Sequence, residues 1–149
     1  MFRIKKIMVP TDFSSHSQYA AKYAAKLAEQ FGAEIHLVHI VEALPVVYYE
    51  GTVFTEESEA RLVESARKLL HKQPDSPWSE GTKVVHEVIQ GTPMNEIVAY
   101  AKKNEIDLIV AGTHGRTGVG HLLLGSVAEK VVRSAPCPVL TVRKPDDAA

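Results

Sequence analysis

Two hydrophobic periods alternate along this chain. Short apolar runs rich in valine and isoleucine lie at residues 4–9, 33–41, 83–89, 108–111 and 139–142. Runs of that length read as buried strands. Between them the apolar residues fall three and four apart, as on a helix face. Tyr19, Ala20, Tyr23, Ala24, Leu27, Ala28 and Phe31 mark one helix; Ala60, Val63, Ala66, Leu69 and Leu70 mark a second. A third covers 94–103 and a fourth 126–134. Residues 42–57, with Pro45, Gly51 and three aromatics, follow neither period, and 73–81 form a polar, proline-broken loop. The order βαβαβαβαβ predicts a parallel sheet covered by helices on both faces.

Local signals set the boundaries. Pro10 and Asp12 end the first strand, and Ser14 or Ser15 caps the helix that follows, with Gln18 placed to complete a capping box with Ser15. Gly32 suits the left-handed position that closes that helix. Thr92-Pro93 sets an N-cap and a proline at the first helical position, and Asn104 stands near the end of that helix. Ser126-Val-Ala-Glu129 reads as a second capping box. A five-stranded doubly wound sheet, Rossmann-like, commonly has the order 3-2-1-4-5, which reverses its winding between strands one and four. Ligands of such sheets sit at the carboxyl edge at that reversal.

The loops that meet there are residues 10–14 and 112–125. The second holds five of the chain's nine glycines between a strand and a helix N-terminus. Glycine lets backbone N–H groups approach an anion, and the helix end adds unsatisfied donors and partial positive charge. The first offers Asp12 as a carboxylate for ribose hydroxyls. A base would then lie against the end of strand two, around Ile40 and Val41.

Composition narrows the setting. The chain has 149 residues, 45% hydrophobic and 23% charged, with a net charge of −1. We expect one domain over residues 1–149, with no electrostatic case for nucleic acid or an anionic membrane. No run approaches the ~20 apolar residues of a membrane span, no signal peptide is expected, and the lone cysteine, Cys137, agrees with a reducing cytoplasm.

Gly112-x2-Gly115-x9-Gly125-Ser126 resembles the ATP-binding signature of the universal stress protein family. The likeness extends to Ile7-Met-Val-Pro-Thr-Asp-Phe-Ser14, His39-Ile-Val, Gly91-Thr-Pro93, Asp107 to Gly115 and Cys137-Pro-Val-Leu140. It implies a cytoplasmic stress-response regulator that binds ATP or another adenine nucleotide, with Mg²⁺ or Mn²⁺ held through the phosphates. It also implies a homodimer pairing strands Val139–Val142. By position Asp12 would meet ribose, Ile40 adenine, and Gly112, Gly115, Gly125, Ser126 and the Val127 amide the phosphates. Pro10, Thr11, Ala111, His114 and Arg116 complete the candidate nucleotide site. Gly118 and Gly120 are extra glycines inside the x9 stretch.

Other residues have plainer readings. Ser126 is explained as a helix cap, Asp12 as an Asx-turn, Cys137 as a small core residue and Trp78 as packing. His36 and His39 are expected on one face of their strand, without a third metal ligand. Tyr48, Tyr49 and Phe54 either cover a base or pack their loop. No P-loop lysine and no Ser-Gly-Gly loop after strand one is present. Hydrolysis is therefore expected to be slow or absent, and no catalytic residue is assigned. The alternatives are a slow ATPase or nucleotidyl-transfer enzyme, an AMP or cyclic AMP module, and a dimeric scaffold that needs no nucleotide.

Overall fold

The computed structural model describes residues 2–42, 56–72, 77–114 and 125–145. Its elements run β1 (Lys6–Pro10), α1 (Ser15–Phe31), β2 (Glu34–Val41), α2 (Glu56–His71), β3 (Val84–Gln90), α3 (Pro93–Lys103), β4 (Leu108–Gly112), α4 (Ser126–Ser134) and β5 (Val139–Val142). The five strands form one sheet in the order β3-β2-β1-β4-β5, and every pairing is parallel.

Strand alternation divides the core into two layers. Ile7, Val9, Ile35, Leu37, Leu108 and Val110 pack toward α1 and Leu70 of α2. Met8, Val38, Ile109 and Ala111 point the other way, onto Ile97, Tyr100 and Ala101 of α3 and Val131 of α4. The buried face of α1 is Ser17, Ala20, Ala21, Ala24, Ala25 and Ala28. Side chains this small let the helix lie close to the sheet. Gly112, at the end of β4, lies close against α1: a Cβ there would stand 3.0 Å from the carbonyl oxygen of His16.

Ser14, the first of the two expected caps, holds α1 by accepting from Ser17 N at 3.2 Å. The Ser15–Gln18 box does not form; the Gln18 side-chain amide donates to the Phe13 carbonyl instead. Gly32 closes α1 at φ 65°, as expected. Thr92 and Pro93 open α3, although the Thr92 side chain makes no capping bond. Trp78 packs against the α1 layer, and Cys137 is half-buried beneath the other, its thiol pushed up by burial.

His36 and His39 lie on opposite faces, against expectation, because residues three apart on a strand point opposite ways. His36 is buried, its Nδ1 2.7 Å from the Tyr100 hydroxyl and its Nε2 2.7 Å from Glu34. Hydrogen bonds from His36 and from Lys83 hold the Glu34 carboxyl below its ordinary pKa. Burial, with the Glu87 and Glu34 carboxylates, pushes Tyr100 up to about 12. Tyr100→Phe strands His36 Nδ1 and is expected to destabilise the fold by about 1–3 kcal/mol. Urea denaturation with an unchanged m-value checks this.

A second histidine contact joins α2 to β3, where the His71 and His86 rings stack 4.5 Å apart. Burial and the His71 charge lower the His86 pKa from 6.5. The depressed value means that the unfolded chain takes up this proton first. Stability from His86 is thus present above pH 6.5 and lost as pH falls through the folded value. His86→Gln is expected to flatten that acid-side slope in a pH series of thermal melts.

Candidate functional site at the carboxyl edge

The sheet reverses its winding between β1 and β4, and the chain leaving each strand meets a helix start on the same edge. After Pro10, Thr11 turns back to β2. Its N–H donates to the Val38 carbonyl at 2.8 Å, and its own carbonyl accepts from His39 Nδ1 at 2.7 Å. Phe13 takes a left-handed φ of 64° and its ring lies 4.4 Å from His39. Backbone in that region costs a non-glycine residue on the order of 1 kcal/mol, which the packing and bonds of the turn offset.

That turn fixes Asp12. Its Oδ1 accepts from Ser14 N at 3.0 Å and from Ser17 Oγ at 3.1 Å. Ser17 Oγ is also 3.1 Å from Thr11 Oγ1, which accepts from Phe13 N. The Asx-turn reading of Asp12 is therefore correct, and the turn fixes the orientation of the carboxylate at the edge. β2 pairs with β1 only as far as Val38 but with β3 through Val41. The β1-facing edge of His39, Ile40 and Val41 thus overlooks the same crevice, with Ile40 half-buried against the α3 layer.

The opposite wall begins at Ala111 and Gly112, the end of β4. Thr113 N donates to Val142 of β5 at 3.2 Å, and the Thr113 carbonyl accepts from Gly125 N. The two ends of the glycine-rich loop are thereby pinned together, and the chain enters α4 at once. Gly125 is the N-cap, at φ −57° and ψ 152°. Ser126 is exposed, and α4 has no side-chain capping bond. The expected Ser126–Glu129 box is absent; Glu129 instead pairs with Arg133 at 3.0 Å. The plain account of Ser126 as a cap is thus overturned. Its hydroxyl stands beside the first free amides of a helix whose N-terminus faces the crevice.

Pro10, Thr11, Asp12, Ile40, Ala111, Gly112, His114, Gly125, Ser126 and Val127 all come to this edge. Gly115 and Arg116 lie outside the described residues, as do Tyr48, Tyr49 and Phe54. Sequence reasoning missed Ser17 and Thr113, buried hydroxyl residues that tie each wall together. The N-termini of α1 and α4 bring partial positive charge here, and α1 has no acid in its first turn. Among the described residues no three His, Cys, Asp or Glu side chains converge as for a metal cage. A cleft of about 520 Å³ at the opposite edge is lined by charges that include the paired Glu34 and Lys83.

A doubly wound α/β sheet with a pinned, glycine-rich strand-to-helix loop at its switch point defines the class. The universal stress protein family model matches residues 3–143, and the chain belongs to that family. It is 43% identical over 141 residues to universal stress protein MJ0531 of Methanocaldococcus jannaschii, covering 95% of this chain and 83% of that one. The solved structure of the M. jannaschii hypothetical protein MJ0577 superposes with a TM-score of 0.78 at 31% identity, over 96% of this chain and 98% of that chain. A universal stress protein solved in complex with cAMP superposes at 0.66 and 22% identity, over 93% and 96%. Among the described residues no helix is long and apolar enough to cross a membrane.

Proposed function

We propose that this chain is a cytoplasmic regulatory protein of the stress response that binds an adenine nucleotide, ATP first, at the carboxyl edge between β1 and β4. The observation that carries this reading is the bond between Thr113 and Gly125, which brings the end of β4 and the N-terminus of α4 together across the edge from an oriented Asp12. Asp12 accepts from ribose hydroxyls, the Ile40 edge of β2 reads adenine through backbone groups, and Pro10, Thr11 and Ala111 shape the floor. Gly112, Gly115 and Gly125 give phosphate close access to the backbone, the Ser126 hydroxyl and the Val127 amide hold it, and His114 and Arg116 flank it. That a protein of the same fold holds cAMP supports the adenine class.

Mg²⁺ or Mn²⁺ suits this site, since such ions bind largely through phosphate oxygens and water and need few protein ligands. The ion would neutralise phosphate charge. The sequence has neither a P-loop lysine nor a Ser-Gly-Gly loop after strand one, so the reading is storage and signalling, with hydrolysis below ~1 s⁻¹. β5 is the outer strand of the sheet, and Leu140 on it and Val132 on α4 are exposed. This supports a homodimer through Val139–Val142.

Mass spectrometry of the small molecule that copurifies with the protein tests the reading, followed by a competition titration among ATP, ADP, AMP and cAMP. The expected result is an adenine nucleotide, with ATP preferred. Preference for cAMP or AMP would transfer the site to the alternative signalling module, and no affinity for any of the four would overturn it.

A further inference from the structure

His16 in the first turn of α1 and His114 just past β4 bring their rings together, with centroids 5.6 Å apart and planes tilted by 50°. Two buried side-chain nitrogens without a hydrogen-bond partner are found among the described residues, His16 Nδ1 and His114 Nε2. Both belong to this one pair. A buried polar atom left unpaired carries its full desolvation cost, so two on one pair of neighbouring rings point to a shared ligand. The other nitrogen of His114 is already committed: Nδ1 lies 2.9 Å from Thr113 Oγ1. When Nδ1–H donates there, the lone pair is on Nε2, the arrangement that a metal-binding imidazole takes from its outer partner. Thr113 is itself buried and bonded to β5 and Gly125, so the ring has a fixed support.

We propose that His16 and His114 form a binding site for a borderline divalent cation of the Zn²⁺ class. Two neutral imidazoles with no carboxylate favour zinc, nickel or copper over magnesium. With Zn–N bonds of roughly 2.1 Å, two imidazoles on one tetrahedral ion have ring centres roughly 5 Å apart, near the separation seen. Two protein ligands leave the remaining coordination positions to water. Gly112 makes the pairing possible, because only a residue without a Cβ lets the His16 backbone pass so close to the end of β4. The proposal does not rest on nucleotide binding.

The test is calorimetry of the full chain, stripped with chelator and free of nucleotide, titrated with Zn²⁺ alone. Co²⁺ is the spectroscopic reporter. One ion per chain is expected. His16→Asn and His114→Asn should each weaken binding at least about tenfold, as loss of even an outer-sphere partner does. The His71→Asn/His86→Asn double variant should bind as the parent does. Imidazole NMR supplies a second readout in the unsubstituted protein: Zn²⁺ should shift the His16 and His114 ring signals first. No binding, binding untouched by both single variants, or first shifts at other histidines would overturn the proposal.

Discussion

Replacing Gly125 with valine is expected to abolish nucleotide binding while leaving the fold intact. Gly125 has φ −57° and ψ 152°, extended backbone that valine adopts without strain. Valine also keeps the N–H that pins the loop to the Thr113 carbonyl and the carbonyl that accepts from Glu129 N. Glycine is therefore not demanded here by conformation. Under the proposed function its lack of a side chain lets a phosphate approach the amides at the α4 N-terminus. A branched side chain there should lower ATP affinity by about a hundredfold or more, roughly 2.7 kcal/mol. The thermal midpoint should move little, as for substitutions that strain nothing. Gly112→Val gives the contrast. Its side chain meets the His16 backbone at 3.0 Å, so overpacking should cost about 1–3 kcal/mol of stability before any question of ligand arises. Calorimetry with ATP and thermal melts on both variants separate the two roles. Undiminished ATP affinity in Gly125→Val would remove the phosphate site from this loop.

The periodicity of apolar residues carried the fold, since each element depends on local pattern and the winding order on general rules for βα units. The strand order 3-2-1-4-5 and the meeting of the two loops followed from that. Side-chain detail was less legible. Ser126 and Glu129 have capping-box spacing, yet Gly125 takes the cap because the chain arrives already pinned at Thr113, a contact between loop ends twelve residues apart. Nothing in the local sequence sets Ser17 apart from the polar residues around it. Its value lies in burial beside Thr11 and Asp12, which depends on how closely α1 descends onto the sheet. The His16–His114 contact likewise joins two elements 98 residues apart in sequence, and no local signal marks it.

Asp12→Asn is expected to separate the two duties of Asp12. Its Oδ1 accepts from Ser14 N and Ser17 Oγ, and an amide oxygen can accept from both. The proton count closes: Thr11 Oγ1 accepts from Phe13 N and donates to Ser17, whose single proton is left for Asp12 or for the Ser14 carbonyl at 3.0 Å. The turn and the start of α1 should therefore survive the substitution. What asparagine lacks is the charge that strengthens hydrogen bonds from ribose hydroxyls. Hydrogen bonds to charged groups contribute about 1.5–3 kcal/mol, so ATP affinity should fall by about ten- to a hundredfold. A 2′,3′-dideoxy analogue of ATP has no such hydroxyls and should bind parent and variant alike. Equal losses for ATP and the dideoxy analogue would mean that Asp12 acts only on its own turn. Ser17→Ala is the complementary change, because it leaves the charge and removes the Ser17 Oγ bond to Oδ1 while that from Ser14 N remains. It should show the same selectivity for the ribose hydroxyls with a smaller loss, since the charge stays and only part of the orienting support is gone.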